Sequence, residues 1–367
     1  MALRRGFQDS FDWPLFVTTV AIAVVGVVNL YSATSAAGAS LRDVYIQQIY
    51  WLTFGAGAAV LVAAIDYRHF ERFGWVAYGI GVVLLALVFL LGREIRGSQR
   101  WIPLGSFSLQ PSELMKLFFI IALGKHLHND PRTEGRTLKD LIIPGLILAG
   151  PLVLILAQPD LGTALLLVFV FATVMFLTHL KLRSLVTLVV SLVVSAPLTW
   201  RYLLKDYQRN RLTSFLDPDK DILDTGWHAH QAKVAIGSGG FTGKGFLQGT
   251  QNQHKFLPDQ HTDFPFPVWA EEQGFVGSVI LIALYLVLVL WGLKIASEAK
   301  DRFGAVVAVG VSALIFWQTV INLGMVCGLL PVVGITLPLF SYGGSSVLTI
   351  MTGIGLLMNV SMRRFHF

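Results

Sequence analysis

Long apolar runs separated by polar segments make up most of this chain of 367 residues. A helix that crosses a bilayer needs roughly 20 mostly apolar residues, and the runs predict ten such helices. We expect them near residues 14–33, 47–65, 74–92, 112–125, 141–157, 161–180, 185–200, 267–293, 304–326 and 346–362. The pattern therefore predicts an all-α integral membrane protein whose residues 1–367 form a single polytopic membrane domain.

One long polar segment, residues 202–264, interrupts this pattern between the seventh and eighth predicted helices. It divides the domain into helices 1–7 (residues 1–201) and helices 8–10 (residues 265–367). Basic residues, a glycine-rich run and an acidic run follow one another within it. Because polar side chains are scarce elsewhere, we expect this large loop to carry much of the chemistry.

The composition supports a membrane protein and excludes several other classes. Hydrophobic residues make up 54% of the chain and charged residues 14%, whereas a soluble globular domain carries about 25% charged residues. The single cysteine, Cys327, excludes an intrachain disulfide. No Walker motif is present, and the loops on the predicted cytoplasmic side are too short to fold an ATPase domain.

Lysine and arginine are unevenly distributed between the two ends of the predicted helices. The termini and the even-numbered loops hold far more of them than the short odd-numbered loops, and the more basic side is normally cytoplasmic. Both termini are therefore expected in the cytoplasm and the large loop outside it. The net charge of +6 reflects this bias, and contact with anionic lipid headgroups explains it better than nucleic-acid binding does.

Two ionisable residues, Glu113 and Lys116, lie inside the fourth predicted helix. Their spacing places them on one helix face, and charges at membrane depth usually face a cavity or a partner. They form either a structural ion pair or the wall of a polar cavity in which Lys116 meets a phosphate. Asp160 is also open to two interpretations, as the N-cap of the sixth helix or as an anion- or metal-binding group.

The large loop offers further phosphate-binding candidates. Arg209 and Arg211 can each match phosphate oxygens in bidentate geometry, although a solvated loop explains them equally well. The glycines between residues 237 and 249 permit close backbone approach, either to a pyrophosphate or within a flexible loop. The histidines at positions 228, 230, 254 and 261 match no standard zinc spacing.

Asp263 is the strongest catalytic candidate. It lies where the loop re-enters the membrane, and a carboxylate at such a low-dielectric boundary holds a proton more readily than one in water, which suits a general base. Asp259 is a nearby competitor. Glu271 and Glu272 follow at the entry to the eighth helix, where they form an acidic capping turn, position Asp263 or bind a divalent ion.

Three segments carry a resemblance to a known family. Residues 158–163 (QPDLGT), 256–264 (FLPDQHTDF) with 270–272 (AEE), and 338–346 (PLFSYGGSS) resemble the SEDS family of shape, elongation, division and sporulation proteins. The glutamine that begins the first segment is more similar to rod-shape members than to division members, which usually have glutamate there. The resemblance covers nearly the whole chain, although prolines 265 and 267 replace residues that are commonly aliphatic or small.

The resemblance implies a peptidoglycan glycosyltransferase with ten transmembrane helices in the bacterial cytoplasmic membrane. Such a protein polymerises lipid II into β-1,4 glycan strands at the outer face during cell elongation, beside a class B penicillin-binding protein and other elongation-complex membrane proteins. The family's essential aspartate corresponds to Asp263 and its intramembrane pair to Glu113 and Lys116. The resemblance also implies a divalent cation, Mg²⁺ or Mn²⁺.

These arguments together define the expected site. Asp263 is the expected catalytic base, and Glu271 and Glu272 are the expected metal ligands. Substrate binding is assigned to Glu113, Lys116, Asp160, Arg209, Arg211, His261, Ser341 and Tyr342. Two alternatives remain open, a lipid II flippase that would not need a base and a non-catalytic scaffold for a penicillin-binding protein.

Overall fold

The computed structural model describes residues 11–35, 43–95, 98–105, 107–130, 135–178, 206–216, 225–253 and 260–364, together with isolated positions between 180 and 201. Its helices are α1 (Trp13–Ser35), α2 (Val44–Ala64), α3 (Tyr67–Leu91), α4 (Pro111–His128), α5 (Ile142–Ala157), α6 (Leu161–Leu177), α7 (Asp206–Leu216), α8 (Thr225–Ser238), α9 (Thr250–Gln253), α10 (Pro265–Ser297), α11 (Arg302–Val326) and α12 (Gly344–Arg363). Its strands are β1 (Arg93–Ile95), β2 (Ser98–Leu104) and β3 (Phe107–Leu109). The chain is mostly helical, as the sequence predicts.

Seven helical segments in the described part of the chain are long and apolar enough to cross a membrane. They are α1, α2, α3, α5 together with the 3₁₀ turn Leu138–Leu141 that precedes it, α10, α11 and α12. The shorter α4 and α6, with 18 and 17 residues, correspond to the fourth and sixth predicted helices. The seventh predicted helix, residues 185–200, lies outside the continuously described residues.

The largest departure from the predicted helices is in α10. The sequence predicts one uninterrupted helix from residue 267, whereas α10 begins at Pro265 and is broken at Gly274, where φ is 66° and ψ is −160°. Proline suits the first turn because its missing N–H would have no helical partner there. Glycine suits the break because residues with a side chain rarely adopt this conformation. A short helix therefore precedes the break and a long one follows it.

The large loop is largely helical where the structure describes it. α7, α8 and α9 lie within residues 202–264, and the glycine-rich run connects α8 to α9. α8 packs against α10 and α11, and its residues Ala232 and Ala235 are fully buried. The segment is therefore part of the same packed unit as the membrane helices.

A small antiparallel sheet lies between α3 and α4, where the sequence predicts only a loop. The strand order is β1–β2–β3, and Ile102 of β2 is paired with Leu109 of β3. Gly105, with φ of 68°, turns the chain between β2 and β3. The sheet thus brings the residues around position 100 close to the beginning of α4.

α11 and α12 form the centre of the helix bundle. In the most apolar stretch of each helix, 72% of the residues of α11 and 83% of those of α12 are buried, compared with 11% of those of α2. α11 packs against α4, α6 and α10, while α12 packs against α2, α4 and α11. The two central helices therefore connect the first half of the chain to the second.

α2 and α12 run parallel at very short distance. A β-carbon added at Gly355 would lie 2.6 Å from the carbonyl oxygen of Ala59, so only glycine allows this approach, as is common between membrane helices. At the far end, Asn359 donates hydrogen bonds to the carbonyls of Val62 and Ile65. Arg363 donates to the neighbouring carbonyls at positions 63 and 64. The last turn of α2, which lacks helical partners, is thus completed by α12.

We predict that Gly355→Ala destabilises the protein, because the new methyl group meets backbone that cannot move aside independently. Overpacking of this kind typically costs about 1–3 kcal/mol. The measurement is the thermal unfolding midpoint of the purified protein in detergent. Gly57→Ala on α2 is the matched control, since a β-carbon there has no neighbour within 4 Å. Equal midpoints for the two variants would contradict close α2–α12 packing.

Candidate active site

A cavity of about 1040 Å³ lies at one end of the bundle. The first turns of α2, α4, α6 and α12 contribute to its wall, together with residues 261–263 just before α10. Its charged and titratable lining residues are Arg100, Glu113, Lys116, Asp160, Arg211, His261, Asp263 and Tyr342. Helix N-termini carry partial positive charge, so the cavity favours an anionic ligand.

Glu113 and Lys116 form an ion pair in the cavity wall. The Lys116 Nζ lies 2.6 Å from the Glu113 Oε2, and the two side chains are 2% and 10% exposed. α4 begins at Pro111, which places both residues in its first two turns. The two interpretations of this pair are therefore compatible, because the ion pair is also part of a polar cavity.

Asp160 caps α6 and is surrounded by donors. Its Oδ1 accepts a hydrogen bond from the backbone of Thr163 at 3.2 Å. Its Oδ2 accepts from Gln110 at 3.2 Å and from Ser112 at 3.3 Å, and Arg100 lies 3.7 Å away. The side chain is thus committed to the junction of α4 and α6, and these contacts favour the capping interpretation over direct binding of a metal or substrate.

Arg100 is a cavity residue that the sequence analysis does not single out. It lies on β2 and donates to the carbonyls of Gln158 and Pro159, in addition to its contact with Asp160. Its place in the wall depends on the small sheet, which has no recognisable sequence pattern. A basic residue before a proline-started helix was the only available signal.

Asp263 lies in the cavity wall two residues before α10. Its backbone carbonyl accepts a hydrogen bond at 3.0 Å from Asn322, a fully buried residue of α11 that also donates to the carbonyl of Ile335 at 2.6 Å. A β-carbon added at Gly334 would lie 3.4 Å from the Asp263 Oδ2. Asn322 therefore fixes the catalytic candidate against the chain at 334–335, and the sequence gives no motif that would reveal this residue.

His261 and Tyr342, which are both predicted to bind substrate, are neighbours in the cavity wall. The Tyr342 backbone N–H donates to the His261 carbonyl at 2.8 Å, and the Tyr342 hydroxyl donates to Gln47 at 2.7 Å. Burial raises the pKa of the Tyr342 phenol, so it remains a donor at neutral pH.

Ser341 is not among the described residues that line the cavity. It is buried and accepts a hydrogen bond from the backbone N–H of Leu337 at 2.8 Å. This contact supports a turn, and the substrate role of Ser341 stays a prediction.

The two arginines of α7 have different positions. Arg211 lines the cavity, and its substrate-binding role stays a prediction. Arg209 is not part of that wall, and its guanidinium donates to the backbone carbonyl of Arg201 at 3.0 Å. Two residues correspond to about 200° around a helix, so α7 directs to different sides two arginines that the sequence analysis treats alike.

Neither Glu271 nor Glu272 is among the described residues that line the cavity with Asp263. Glu271 is fully buried and accepts hydrogen bonds from Lys244 at 2.6 Å and from Thr250 at 3.0 Å. Glu272 accepts a hydrogen bond from Ser32 of α1. These contacts connect α10 to the large loop and to α1, and the predicted metal-binding role of the two glutamates stays a prediction.

The glycine-rich run packs on the break in α10 and does not face the cavity. A β-carbon at Gly239 or Gly243 would lie 2.1 Å from a backbone carbonyl of α10. The Lys244 and Gly245 N–H groups donate to the carbonyls of Glu271 and Glu272, both at 3.0 Å. The close backbone approach that these glycines permit thus serves α10, and the pyrophosphate-cradle interpretation is corrected.

Three of the predicted candidates belong to the undescribed part of the large loop. Asp259 and His254 lie outside the described residues, as does the side chain of His228. Within the part of the chain that is described, no three His, Cys, Asp or Glu side chains are grouped to hold a metal ion. The divalent cation therefore remains a prediction.

Comparison with known proteins identifies the family. The family profile of cell cycle proteins that comprises FtsW, RodA and SpoVE matches residues 13–366. The chain belongs to the SEDS family. It is 41% identical over 337 residues to the peptidoglycan glycosyltransferase MrdB of Escherichia coli K12, covering 91% of this chain and 90% of that protein.

Solved structures extend this similarity to the fold. A chain from a study of a peptidoglycan synthase complex that coordinates polymerization and crosslinking has a TM-score of 0.84 and 35% identity, covering 97% of this chain and 99% of its own length. The rod shape-determining protein RodA of Thermus thermophilus has a TM-score of 0.72 and 32% identity, covering 97% and 98%. The arrangement described above is therefore that of a RodA-like member.

We predict that Lys116→Ala lowers the thermal stability, because it leaves the buried Glu113 carboxylate without its partner. Removing one member of a buried pair typically costs about 3–5 kcal/mol. The double variant Glu113→Gln/Lys116→Met should recover most of the loss, as measured by the unfolding midpoint in detergent. A Lys116→Ala protein as stable as the wild type would rule out a desolvated pair.

Proposed function

We propose that this protein is a peptidoglycan glycosyltransferase that polymerises lipid II, with Asp263 as its general base. The observation that carries the proposal is the position of Asp263 in one cavity wall with Lys116 and Arg211. Membership of a family whose relatives are named peptidoglycan glycosyltransferases supports the reaction class. A cavity of about 1040 Å³ is at the upper end of the volumes typical of ligand pockets, as a lipid-linked disaccharide requires.

The charges of the cavity suit a pyrophosphate. Four helices contribute their first turns to the wall, and the exposed N–H groups of such turns bind phosphate oxygens. Arg211 can add a bidentate contact, while Lys116 is held in place by Glu113. These groups are fixed before the substrate arrives, so they can stabilise charge on the leaving group without rearranging.

The proposed reaction is a single displacement. Asp263 accepts the proton of the 4-hydroxyl of the acceptor GlcNAc, and the oxygen attacks the anomeric carbon of the donor MurNAc. The bond from that carbon to the pyrophosphate breaks, undecaprenyl pyrophosphate leaves with the bonding electron pair, and the configuration changes from α to β. This chemistry needs a base for the acceptor hydroxyl and positive charge beside the leaving group.

A divalent cation, Mg²⁺ or Mn²⁺, is part of the proposal. Such ions are usually held by one or two carboxylates together with substrate phosphates and water. Among the described carboxylates of the wall, Glu113 and Asp160 are already in ion pairs. We propose that Asp263 would hold the cation with one oxygen and that pyrophosphate oxygens would complete the coordination. The cation would neutralise charge on the leaving group.

The proposal includes a location and a partner. The large loop lies at the same end as the cavity, which we assign to the outer face of the bacterial cytoplasmic membrane with both termini in the cytoplasm. Similarity to a chain of a synthase complex that couples polymerization to crosslinking supports a class B penicillin-binding protein as the partner. Other elongation-complex membrane proteins are expected beside it.

We predict that Asp263→Asn folds normally but loses glycan synthesis, because asparagine cannot accept the proton. General-base catalysis contributes roughly 10²–10⁴-fold. The measurement is glycan polymerisation from purified lipid II in detergent, where no second leaflet exists and a flippase or a scaffold would show no product. Asp43→Asn is the control, since Asp43 is exposed and makes no side-chain capping bond. Near wild-type synthesis by the Asp263 variant would exclude it as the base.

We also predict that excess chelator stops glycan synthesis without lowering the unfolding midpoint, and that Mg²⁺ or Mn²⁺ restores it. The reason is that the substrate supplies most ligands, so the free protein holds the ion weakly. Metal analysis of the lipid-free protein accompanies the activity assay. Stoichiometric metal that survives purification would contradict ligand sharing, and undiminished activity in chelator would remove the cation from the mechanism.

A further inference from the structure

Two hydroxyl groups, those of Thr336 and Ser346, meet in the wall of the large cavity. Thr336 belongs to the wall segment 333–336, and Ser346 lies in the first turn of α12. Their side-chain oxygens are 3.0 Å apart, which is hydrogen-bond distance. The same segment borders the proposed base, since a β-carbon at Gly334 would lie 3.4 Å from the Asp263 Oδ2. The hydroxyl pair is thus two residues along the chain from the neighbour of the base.

A buried amide on α11 orients this pair. The Gln318 Nε2 lies 3.0 Å from the Thr336 backbone carbonyl oxygen and 3.2 Å from the Thr336 hydroxyl. It also lies 3.3 Å from the Ser346 hydroxyl, and Gln318 is 1% exposed. A carbonyl oxygen can only accept a hydrogen bond, so the amide must present its nitrogen to this group. Both hydroxyl oxygens are therefore on the donor side of the amide, and neither hydroxyl proton points toward it.

One hydroxyl proton of the pair is left for a ligand. The two hydroxyls carry one proton each, and one of these protons is used in the hydrogen bond between Thr336 and Ser346. In the described part of the chain, neither hydroxyl has a further acceptor. Ser346 is buried, whereas Thr336 is partly exposed to the cavity. The pair therefore presents one neutral donor, which we assign to the Thr336 hydroxyl.

The orientation of the amide is kept although it leaves a polar atom unpaired. The Gln318 side-chain oxygen is buried and has no hydrogen-bond partner in the described part of the chain. One turn further, Asn322 repeats the arrangement: its nitrogen donates to the carbonyls of Asp263 and Ile335, and its oxygen lacks a described partner. Residues four apart share one helix face, so α11 directs two amide nitrogens at the same stretch of wall. Incompletely paired buried groups are uncommon in native proteins, and this repetition points to a role of the wall beyond packing.

We propose that the Thr336–Ser346 pair hydrogen-bonds to the saccharide of the lipid-linked substrate beside Asp263, and that Gln318 positions the pair for this contact. The inference rests on the proposed function and deepens it, because it names groups that orient the reacting sugar. A neutral donor suits the neutral hydroxyl and amide oxygens of a sugar, whereas a pyrophosphate is bound more strongly by charged groups. Holding the sugar in the reactive geometry contributes to the rate.

The first experiment compares a ligand that has the saccharide with one that lacks it. Lipid II and undecaprenyl pyrophosphate are titrated separately into the purified protein in detergent, and the heat of binding gives each affinity. Thr336→Val keeps the shape of the side chain and removes the hydroxyl. It should weaken the binding of lipid II roughly threefold to tenfold and leave that of undecaprenyl pyrophosphate unchanged.

The matched control for this comparison is Thr352→Val. Thr352 is also on α12, but its hydroxyl donates to the carbonyl of Leu348 at 2.7 Å, so the variant should bind both ligands as the wild type does. Equal weakening of the two ligands by Thr336→Val would show that the pair contacts the pyrophosphate, and would overturn the proposal. Unchanged binding of both ligands would overturn it as well.

The second experiment measures glycan synthesis as lipid II is varied. Thr336→Val should lower kcat/KM about tenfold, and Thr336→Ser, which keeps the hydroxyl, should restore most of it. Equal losses in these two variants would show that the methyl group matters and the hydroxyl does not. If the wild type polymerises and Thr336→Val matches it in rate and in binding, the sugar contact is wrong although the proposed function stands. If the wild type does not polymerise, the proposed function fails and the binding comparison still tests the pair.

A third experiment tests Gln318 as a positioning residue. Gln318→Met should lower kcat/KM, but it should add little to the loss in a Thr336→Val background, because both changes act through one contact. Gln318→Glu should be faster than Gln318→Met at acidic pH, where a protonated carboxyl keeps one O–H donor for the wall. Fully additive losses, or equal rates of the two Gln318 variants at every pH, would reduce Gln318 to a packing residue and overturn its assigned role.

Discussion

Backbone polar groups cannot be left unpaired in a membrane, and this constraint governs the break in α10. The Gly274 conformation removes helical partners around residues 271–276. The glycine-rich run replaces them, because Lys244 and Gly245 donate to α10 carbonyls while the N–H groups of residues 275 and 276 donate to the carbonyls of residues 240 and 241. Glu271 adds a buried ion pair with Lys244. The large polar segment is thereby fixed to the membrane helices.

That attachment determines where the chemistry can occur. The short helix before the break is held at its end by the glycine-rich run and at its start by Asn29, which donates to the Pro265 carbonyl at 3.0 Å. Asn322 then fixes the carbonyl of Asp263. The wall opposite is also set in advance by the Glu113–Lys116 pair. The proposed catalytic carboxylate and its proposed anion-binding partners are therefore positioned by the fold, as electrostatic preorganisation requires.

Hydropathy predicts the membrane helices well because the bilayer demands a fixed length of apolar residues, and seven long spans in the described residues agree. It does not predict the small sheet, whose strands β1 and β3 have only three residues each. Local sequence also cannot tell whether glycines approach a ligand or a helix. Glu271 and Glu272 were assigned together because they are adjacent, yet adjacent residues of a helix point about 100° apart. Asn322 was missed since an isolated asparagine in an apolar helix has no motif.

The direction in which the helices run explains the different charge preferences at the two ends of the bundle. Four helices begin at the cavity: α2, α4, α6 and α12. Their partial positive charges therefore add at this face, and their last carbonyl groups lie together at the opposite face. The Arg363 side chain satisfies such carbonyls at the end of α2. Lys125, near the end of α4, donates at 2.7 Å to the carbonyl of Arg72 in the second turn of α3. Basic residues near helix C-termini thus complete the backbone at the same end that the positive-inside rule assigns to the cytoplasm. The shared direction of these four helices therefore accounts for the face that favours anions, for the basic face opposite and for the proposed orientation in the membrane.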